Sequence, residues 1–327
     1  MKVLLTGGTG FVAAHCLETL LENGHDVVTT VRSHVKGLGI LAKFPGMPSS
    51  RLSFVVVENI ARPGAFDEAV VTDPPFDAVV HTASPFHYNV TDVKLDLLDP
   101  AVLGTTGILR SIKGLAPTIR RVVITSSFAA MVVPDAHPDV YDETAWNPVT
   151  AEEAEKDAVT AYRASKTLAE RAAWDFLSTE KPTFTITTIN PPNVFGPLAR
   201  YPGMQVAVNT SNQRIYDMME GNMMHGLSAT GSFLWVDVRD VALAHVRAME
   251  REEAAGKRFL VTAGHFANSD IANIIKEEFP DKAQNLPNEV TSDMPENVYG
   301  FDNRLSTSLL GLRYRTLREC MVETMTS

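Results

Sequence analysis

Cysteine is scarce in this sequence, whose 327 residues include only Cys16 and Cys320. A framework of disulfides requires several cysteines at short spacings, so a disulfide-stabilised secreted scaffold is not expected. No charged leader followed by a long apolar run precedes the first predicted strand, and we therefore expect no signal peptide. Together the two absences predict a cytoplasmic protein.

Long apolar runs and an excess of positive charge are also absent. No stretch of about 18 apolar residues occurs, so we expect neither a membrane-spanning helix nor a membrane partner. The net charge of -10 disfavours nucleic acid as a partner, because binding to its phosphates requires clustered Lys and Arg. The nine histidines lack ligand spacing with Cys or carboxylates, and no metal site is expected. A small anionic ligand can still meet individual basic residues.

Short apolar runs alternate with helical patterns through residues 1–190. Apolar, β-rich strands that alternate with helices favour a parallel sheet covered on both faces, and right-handed crossovers make it a doubly wound α/β (Rossmann) fold. Strands are predicted near residues 2–5, 26–31, 54–57, 78–82, 121–125 and 184–190, and helices at 11–22, 100–116 and 157–179.

The pattern after residue 190 is less regular and predicts a smaller appendage rather than an independent domain. Ser269 and Asp270 are expected to open one of its helices. The predicted elements are helices at 239–250, 268–279 and around 304–310, and a strand at 258–261. We predict a nucleotide-binding domain of residues 1–190, completed by 232–264, and an appendage of residues 191–231 and 265–327.

A glycine-rich loop, Thr6-Gly-Gly-Thr-Gly-Phe-Val-Ala13, follows the first predicted strand and opens the first predicted helix. Glycines at such a turn let the backbone approach a pyrophosphate, whose charge is stabilised at the helix N-terminus. The spacing Gly7-x-x-Gly10-x-x-Ala13 alone would also suit a structural turn. Its position between strand and helix favours a dinucleotide-binding loop.

The second predicted strand ends at Arg32, about 20 residues beyond the glycines. An acidic residue there would bind the ribose 2′-hydroxyl of NAD and repel a 2′-phosphate. Arg32, with Lys36 one turn further on, would instead pair with the phosphate. The residues therefore predict NADP(H), with a solvated surface Arg as the alternative.

Tyr162 and Lys166 stand four residues apart in a predicted helix, and so share one face. An adjacent ammonium favours the phenolate and makes the tyrosine a better proton donor and acceptor near neutral pH. Ser126 and Ser127 follow the strand at 121–125, at the edge where ligands bind in this architecture. A serine there can stabilise oxyanion charge. The residues alone do not separate the two serines, and either could serve as a helix cap.

With these motifs the sequence resembles the extended short-chain dehydrogenases/reductases over essentially its whole length. It is similar to their dihydroflavonol and cinnamoyl-CoA reductase group, and most of all to the fungal NADPH-dependent methylglyoxal, aldehyde and ketone reductases. The resemblance rests on the glycine loop and on His81-Thr-Ala-Ser84, Thr125-Ser-Ser127, Tyr162-x-x-x-Lys166 and Asn190-Pro-Pro-Asn-Val-Phe-Gly-Pro197.

The resemblance implies an NADPH-dependent carbonyl reductase that interconverts aldehydes or ketones and alcohols, with an appendage that binds substrate. Ser127, Tyr162 and Lys166 would be catalytic. Asn59 stands where such proteins usually carry an Asp that contacts adenine, and a small effect on cofactor binding is expected. The cofactor-binding residues would be Gly7, Thr9, Gly10, Phe11, Val12, Arg32, Lys36, Asn59, Ile60, Thr82, Ala83, Ser84, Pro191 and Val194.

The substrate pocket is expected to be mainly apolar and aromatic. For each candidate, core packing is the alternative, and the Met-rich run 218–224 could be a flap or a core helix. A sugar-nucleotide epimerase or dehydratase of the same branch would retain NAD, which Arg32 disfavours. A non-catalytic NADP sensor would tend to lose the Tyr or Lys. Oligomeric state and natural substrate stay open. The candidate wall residues are Phe86, Phe128, Asn193, Val194, Met218 and Trp235.

Overall fold

The computed structural model describes residues 1–84, 92–202 and 208–327. The β-strands in these residues are β1 (Lys2–Thr6), β2 (Asp26–Val31), β3 (Leu52–Val56), β4 (Ala78–His81), β5 (Arg121–Thr125), β6 (Val140–Tyr141), β7 (Thr185–Asn190), β8 (Asn193–Phe195), β9 (Leu234–Asp237), β10 (Arg258–Leu260), β11 (Gly264–His265) and β12 (Gly300–Phe301). The α-helices are α1 (Phe11–Glu22), α2 (His34–Lys43), α3 (Asp99–Leu115), α4 (Ala158–Glu180), α5 (Thr210–Met219), α6 (Val238–Glu250), α7 (Asn268–Glu278), α8 (Arg304–Leu309) and α9 (Leu317–Thr326).

Seven parallel strands form the central sheet, in the order β10-β7-β5-β4-β1-β2-β3. Leu4 in β1 is in register with Val28 on one side and Val79 on the other. The strand order reverses between β1 and β4, and a crevice opens at the carboxyl ends of the strands at such a switch point. The predicted doubly wound α/β fold is confirmed.

Alternate side chains of β1 enter two different cores. Val3 and Leu5 pack with Leu17 of α1 and Val241 of α6, whereas Leu4 packs in the cluster that contains α3 and α4 residues. This alternation is the two-residue period of a strand covered on both faces. Full burial of one Leu contributes about 2 kcal/mol relative to exposure.

The described residues form two smaller sheets besides the central one. Strands β11, β9 and β8 form a three-stranded sheet, and β12 pairs with β6. Strand β10 joins the central sheet beside β7. In the parts of the chain described above, no helix has both the length and the apolar character needed to cross a membrane.

Helix α2 was not predicted, because Gly37 and Gly39 interrupt its apolar pattern. Gly37 packs against Phe54 so closely that an added Cβ would lie 2.3 Å from the ring. The expected start of α7 needs a correction. Ala267 is its N-cap, and the Ala267 backbone N–H donates to Asp270 Oδ2 at 2.7 Å, whereas Ser269 is buried in the first turn and does not cap the helix.

Candidate active site

A cavity of about 1050 Å³ opens at the carboxyl edge of the central sheet. It is lined by the ends of β1, β4, β5 and β7 and by the first turns of α1 and α4. The cavity brings together most of the residues that the sequence singled out. Those that line it are Gly7, Thr9, Gly10, Phe11, Val12, Arg32, Lys36, Ile60, Thr82, Ala83, Ser84, Ser127, Phe128, Tyr162, Lys166, Pro191, Asn193 and Val194.

The glycine loop fits a close approach of the backbone to a phosphate. Gly7 has a φ of 75°, and an added Cβ would lie 3.1 Å from Ala83 Cα. Gly10 is the N-cap of α1, and no side chain accepts a hydrogen bond from the first N–H groups of this helix. Those donors and the positive end of the helix dipole are available to an anion.

Two contacts hold the loop in place. The Gly7 N–H donates to Thr30 Oγ1 at 2.9 Å. From the later part of the chain, the Tyr201 hydroxyl donates to the Gly8 carbonyl at 3.1 Å. The loop is therefore fixed both by β2 and by the segment that follows β8.

Arg32 and Lys36 are exposed and line the cavity beyond the glycine loop. Neither forms an ion pair with a described carboxylate, so both charges are available to a ligand phosphate. Asn59 is exposed and does not line the cavity. Its Oδ1 accepts a hydrogen bond from the Ala61 N–H at 2.9 Å, and the neighbouring Ile60 forms the wall at this point.

Tyr162 and Lys166 lie on one face of α4, as their spacing predicts. Lys166 Nζ is 5.8 Å from the centroid of the Tyr162 ring and donates to Ser84 Oγ at 2.9 Å. Burial lowers the pKa of Lys166 to about 8. The ammonium stays largely protonated at neutral pH, and it is positioned to favour ionisation of the tyrosine.

The structure separates the two serines that follow β5. The Ser126 hydroxyl donates to the buried Glu170 carboxylate. Ser127 Oγ accepts a hydrogen bond from the Ala129 N–H at 3.1 Å, at the start of a single 3₁₀ turn. The proton of Ser127 therefore stays available to a ligand in the cavity, whereas that of Ser126 is already used.

Glu170 is the centre of a buried network that sequence reasoning missed. Its carboxylate accepts from Asn190 Nδ2 at 2.7 Å and from Arg258 Nε at 2.6 Å. Asn190 Nδ2 also donates to the Ser127 carbonyl at 3.2 Å. The network joins α4 to the ends of β5 and β7 and to the start of β10. Its sequence signal is an acidic residue four positions after Lys166, on the same face of the helix.

His81, the last residue of β4, is buried in the neutral form. Thr6 Oγ1 accepts hydrogen bonds from the backbone N–H groups of Thr82 and Ala83, and it lies 2.9 Å from His81 Nδ1. Burial, with the charge of Lys166, lowers the pKa of His81 to about 3. His81 therefore holds β1 and β4 together as a neutral side chain.

The expected substrate wall is only partly realised. Met218 and Trp235 are 0% and 3% exposed, pack with Phe195 and Phe266, and do not line the cavity. Their placement in the wall was wrong, because apolar character alone does not distinguish a core from a pocket. In the Met-rich run, Met218 belongs to the core and Met224 is exposed. Phe86 lies outside the described residues.

Several wall residues at the tyrosine end of the cavity were not predicted. Val159 and Arg163 lie on α4 close to Tyr162, whereas the others come from segments that are distant in sequence and that no local pattern marks. Asn193, which was predicted, uses its amide to donate to the carbonyls of Ser232 and Leu234, each at 3.0 Å. The additional wall residues include Val132, Pro134, His137, Val159, Arg163 and Tyr299.

Within the described ranges, no group of three or more His, Cys, Asp or Glu side chains could hold a metal ion.

The fold and the glycine loop define a dinucleotide-binding protein of the Rossmann type. Residues 3–262 match the NAD dependent epimerase/dehydratase family. The chain belongs to this family.

Individual members of the family resemble the chain over nearly its full length. It is 52% identical to "Ketoreductase azaE" of Aspergillus niger, with 100% of this chain and 97% of that protein covered. It is 36% identical to "NADPH-dependent methylglyoxal reductase GRE2" of Saccharomyces cerevisiae, over 99% of this chain and 97% of that protein. The solved structure of Gre2 in complex with NADPH from Candida albicans superposes with a TM-score of 0.92 at 36% identity, covering 100% of this chain and 98% of that one.

Proposed function

We propose that this protein is an NADPH-dependent carbonyl reductase that converts aldehydes or ketones to alcohols, reversibly. The observation that carries the proposal is the position of Lys166 Nζ, 5.8 Å from the Tyr162 ring centroid and 2.9 Å from Ser84 Oγ. The same cavity contains the glycine loop and Ser127. The printed names of the similar proteins, a ketoreductase and a methylglyoxal reductase, support the same reaction class.

The cofactor is NADP(H), and the residues in the cavity fit it. The uncapped N-terminus of α1 and the glycine loop offer donors to a pyrophosphate. We propose that Arg32 and Lys36 bind the 2′-phosphate, and that Pro191 and Val194 contact the nicotinamide. Bound NADPH supplies a hydride to the carbonyl carbon.

The chain's own residues transfer the proton and stabilise the developing charge. The Tyr162 hydroxyl donates its proton to the carbonyl oxygen, and the Lys166 ammonium stabilises the phenolate that remains. The Ser127 hydroxyl donates a hydrogen bond to the oxygen as negative charge develops there. A proton from solvent then restores Tyr162, and the product is an alcohol.

We also propose that residues 1–190, completed by 232–264, bind the cofactor, and that residues 191–231 and 265–327 form the appendage beside the substrate. Strand β10 lies within residues 232–264 and pairs with β7 of the central sheet, which supports this division. Deletion is not a suitable test, because the two parts share the cavity. Hydrogen exchange of the backbone amides tests the division. NADPH binding is expected to protect amides in residues 1–84 more strongly than amides in residues 268–327. The cytoplasmic location stays a prediction.

The decisive assay is oxidation of NADPH by the purified protein with methylglyoxal, branched aldehydes, aryl ketones and β-keto esters, with NADH in parallel. Turnover of several compounds with NADPH is expected. Tight NADPH binding with no turnover would favour the non-catalytic sensor. Retention of NAD through purification, with no net oxidation of added NADPH, would favour the epimerase or dehydratase.

A further inference from the structure

The cavity wall carries positive charge and no negative charge among the described residues. Its charged side chains are Arg32, Lys36, Arg163 and Lys166, in a protein whose net charge is -10. The proposed function uses Arg32 and Lys36 for the cofactor and Lys166 for the tyrosine. It leaves Arg163, which follows Tyr162 directly in α4, without a role.

Arg163 has no ion-pair partner within the described ranges. Residues 85–91 and 203–207 contain no Asp or Glu and so have no carboxylate to offer. The charge of Arg163 acts on Asp157, but the Asp157 carboxylate already accepts hydrogen bonds from the N–H groups of Val159 and Thr160 as the cap of α4. The guanidinium is therefore not neutralised by the fold.

His137 lines the same end of the cavity and provides a second donor. Its Nδ1 lies 2.8 Å from the Tyr141 hydroxyl, and its ring centroid is 4.5 Å from that of Tyr299. Burial, then the charge of Arg163, lowers the pKa of His137. When the Tyr141 hydroxyl donates to Nδ1, the neutral ring carries its proton on Nε2, for which the described residues offer no acceptor.

We propose that Arg163, assisted by His137, binds an oxyanion group of the substrate, a carboxylate or a phosphate, that is remote from the reacting carbonyl. The inference rests on the proposed function, because it places the carbonyl at Tyr162. A guanidinium binds either oxyanion through paired N–H groups.

The helix geometry also limits the substrate's shape. Successive side chains on a helix diverge by about 100°, so Tyr162 and Arg163 cannot both reach adjacent carbons. The anion must be separated from the carbonyl by several bonds. A δ-keto acid fits this requirement, whereas an α-keto acid does not.

The experiment compares matched charged and neutral substrates in the wild type and in Arg163→Gln. The first pair is the δ-keto acid 5-oxohexanoate and its methyl ester. Pyruvate, an α-keto acid, tests whether the anion must be separated from the carbonyl by several bonds. Dihydroxyacetone phosphate and dihydroxyacetone form the second pair, which distinguishes a phosphate from a carboxylate as the preferred group. Arg110→Gln is the control, because it removes one exposed positive charge beside Glu180, at the far end of α4.

The wild type is expected to favour the charged member of at least one pair by about 10-fold or more in kcat/KM, as for a charge-assisted hydrogen bond. Arg163→Gln removes this preference mainly by raising KM for the charged member, because a remote anion contributes to binding in both ground and transition states. Arg163→Lys retains part of the preference, and Arg110→Gln retains all of it. The preference also declines as salt rises.

Equal turnover of charged and neutral members, or a preference that survives Arg163→Gln, would overturn the inference and leave the proposed reductase intact. An increase in KM for NADPH in Arg163→Gln would also overturn it, because the residue would then belong to the cofactor site. No turnover of any carbonyl, neutral esters included, would refute the proposed function itself.

Discussion

Arg258 and Glu170 form a buried ion pair, with 2.6 Å between Arg258 Nε and Glu170 Oε1, and Glu170 shares a face of α4 with Lys166. The Glu170 side chain is fully buried, and the Arg258 guanidinium lies 3.7 Å from the centroid of the Trp146 ring. Both charges are largely removed from bulk water, so each depends on the other for compensation.

Glu170→Ala is expected to lower the free energy of unfolding by about 3–5 kcal/mol, because it leaves the charge of Arg258 buried and uncompensated. Urea denaturation followed by circular dichroism measures the loss. Lys113→Ala is the control, since it breaks the exposed ion pair with Glu180, which is worth about 1 kcal/mol or less. A loss as small as that of the control would mean that water compensates Arg258.

Tyr162→Phe is expected to lower kcat by a factor of about 10²–10⁴, the range for loss of a general acid. The dissociation constant for NADPH, measured by fluorescence titration, should stay nearly unchanged because the ring is retained. Tyr216→Phe, which removes a hydroxyl outside the cavity wall, is the control. Substantial residual turnover in Tyr162→Phe would contradict the assigned role of the tyrosine.

Replacement of the two neighbouring serines should have different consequences. Ser127→Ala is expected to lower kcat by about 10²–10³, as for removal of one oxyanion donor, with little change in stability. Ser126→Ala removes a donor to Glu170 and should lower the melting temperature instead. Steady-state kinetics and thermal denaturation of both variants test the pair. A larger kinetic defect in Ser126→Ala would reverse the assignment.

Arg32→Ala is expected to lower kcat/KM for NADPH by about 10- to 100-fold, because a charge-assisted bidentate contact is lost. NADH lacks the 2′-phosphate, so its kcat/KM should hardly change. Arg313→Ala, which removes an exposed Arg outside the cavity, serves as the control. An equal loss for both cofactors would show that Arg32 does not select between them.

Acid should destabilise the protein through buried neutral histidines. Burial lowers the pKa of His245 from 6.5 to about 4. Between these pH values the histidine is protonated in the unfolded chain and neutral in the folded chain. The stability contributed by this group is complete above pH 6.5 and is lost as the pH falls towards 4, by about 3 kcal/mol. The slope of unfolding free energy against pH over this window measures it.

His245→Gln should flatten that slope, although it also disturbs the contact of His245 Nε2 with Thr125 Oγ1 at 2.7 Å. His225→Gln, at an exposed position, should keep the wild-type slope. If His245→Gln keeps the full slope as well, the proton uptake occurs elsewhere, with buried His81 as the next candidate.

Local patterns predicted the central sheet well, because its strands and helices have strong periodicity. Helix α1 was predicted with the bounds that the structure shows, since the glycine loop begins it and Gly24 follows its end. Helix α5 and the two small sheets were not predicted, because polar residues in the helix and the shortness of the strands obscure their periodicity.

The site was predictable where its residues form motifs and unpredictable where it depends on packing. The glycine loop, Tyr162 and Lys166 are contiguous or at helical spacing. Met218 and Trp235 carry the same apolar signal as true wall residues, and only the packed structure places them in the core. His137 and Tyr299 meet across 162 positions of sequence, which a single sequence does not encode locally.

Arg163 lies next to the proposed proton donor, yet its side chain forms no hydrogen bond or ion pair with the described residues. A codon change at this position would therefore alter the charge at the cavity wall without disturbing the network around Glu170. If Arg163 binds the substrate as proposed, a substitution there changes which substrates bind, while Glu170 keeps its contacts with Asn190 and Arg258. On this proposal, substrate preference and proton transfer depend on different residues of α4.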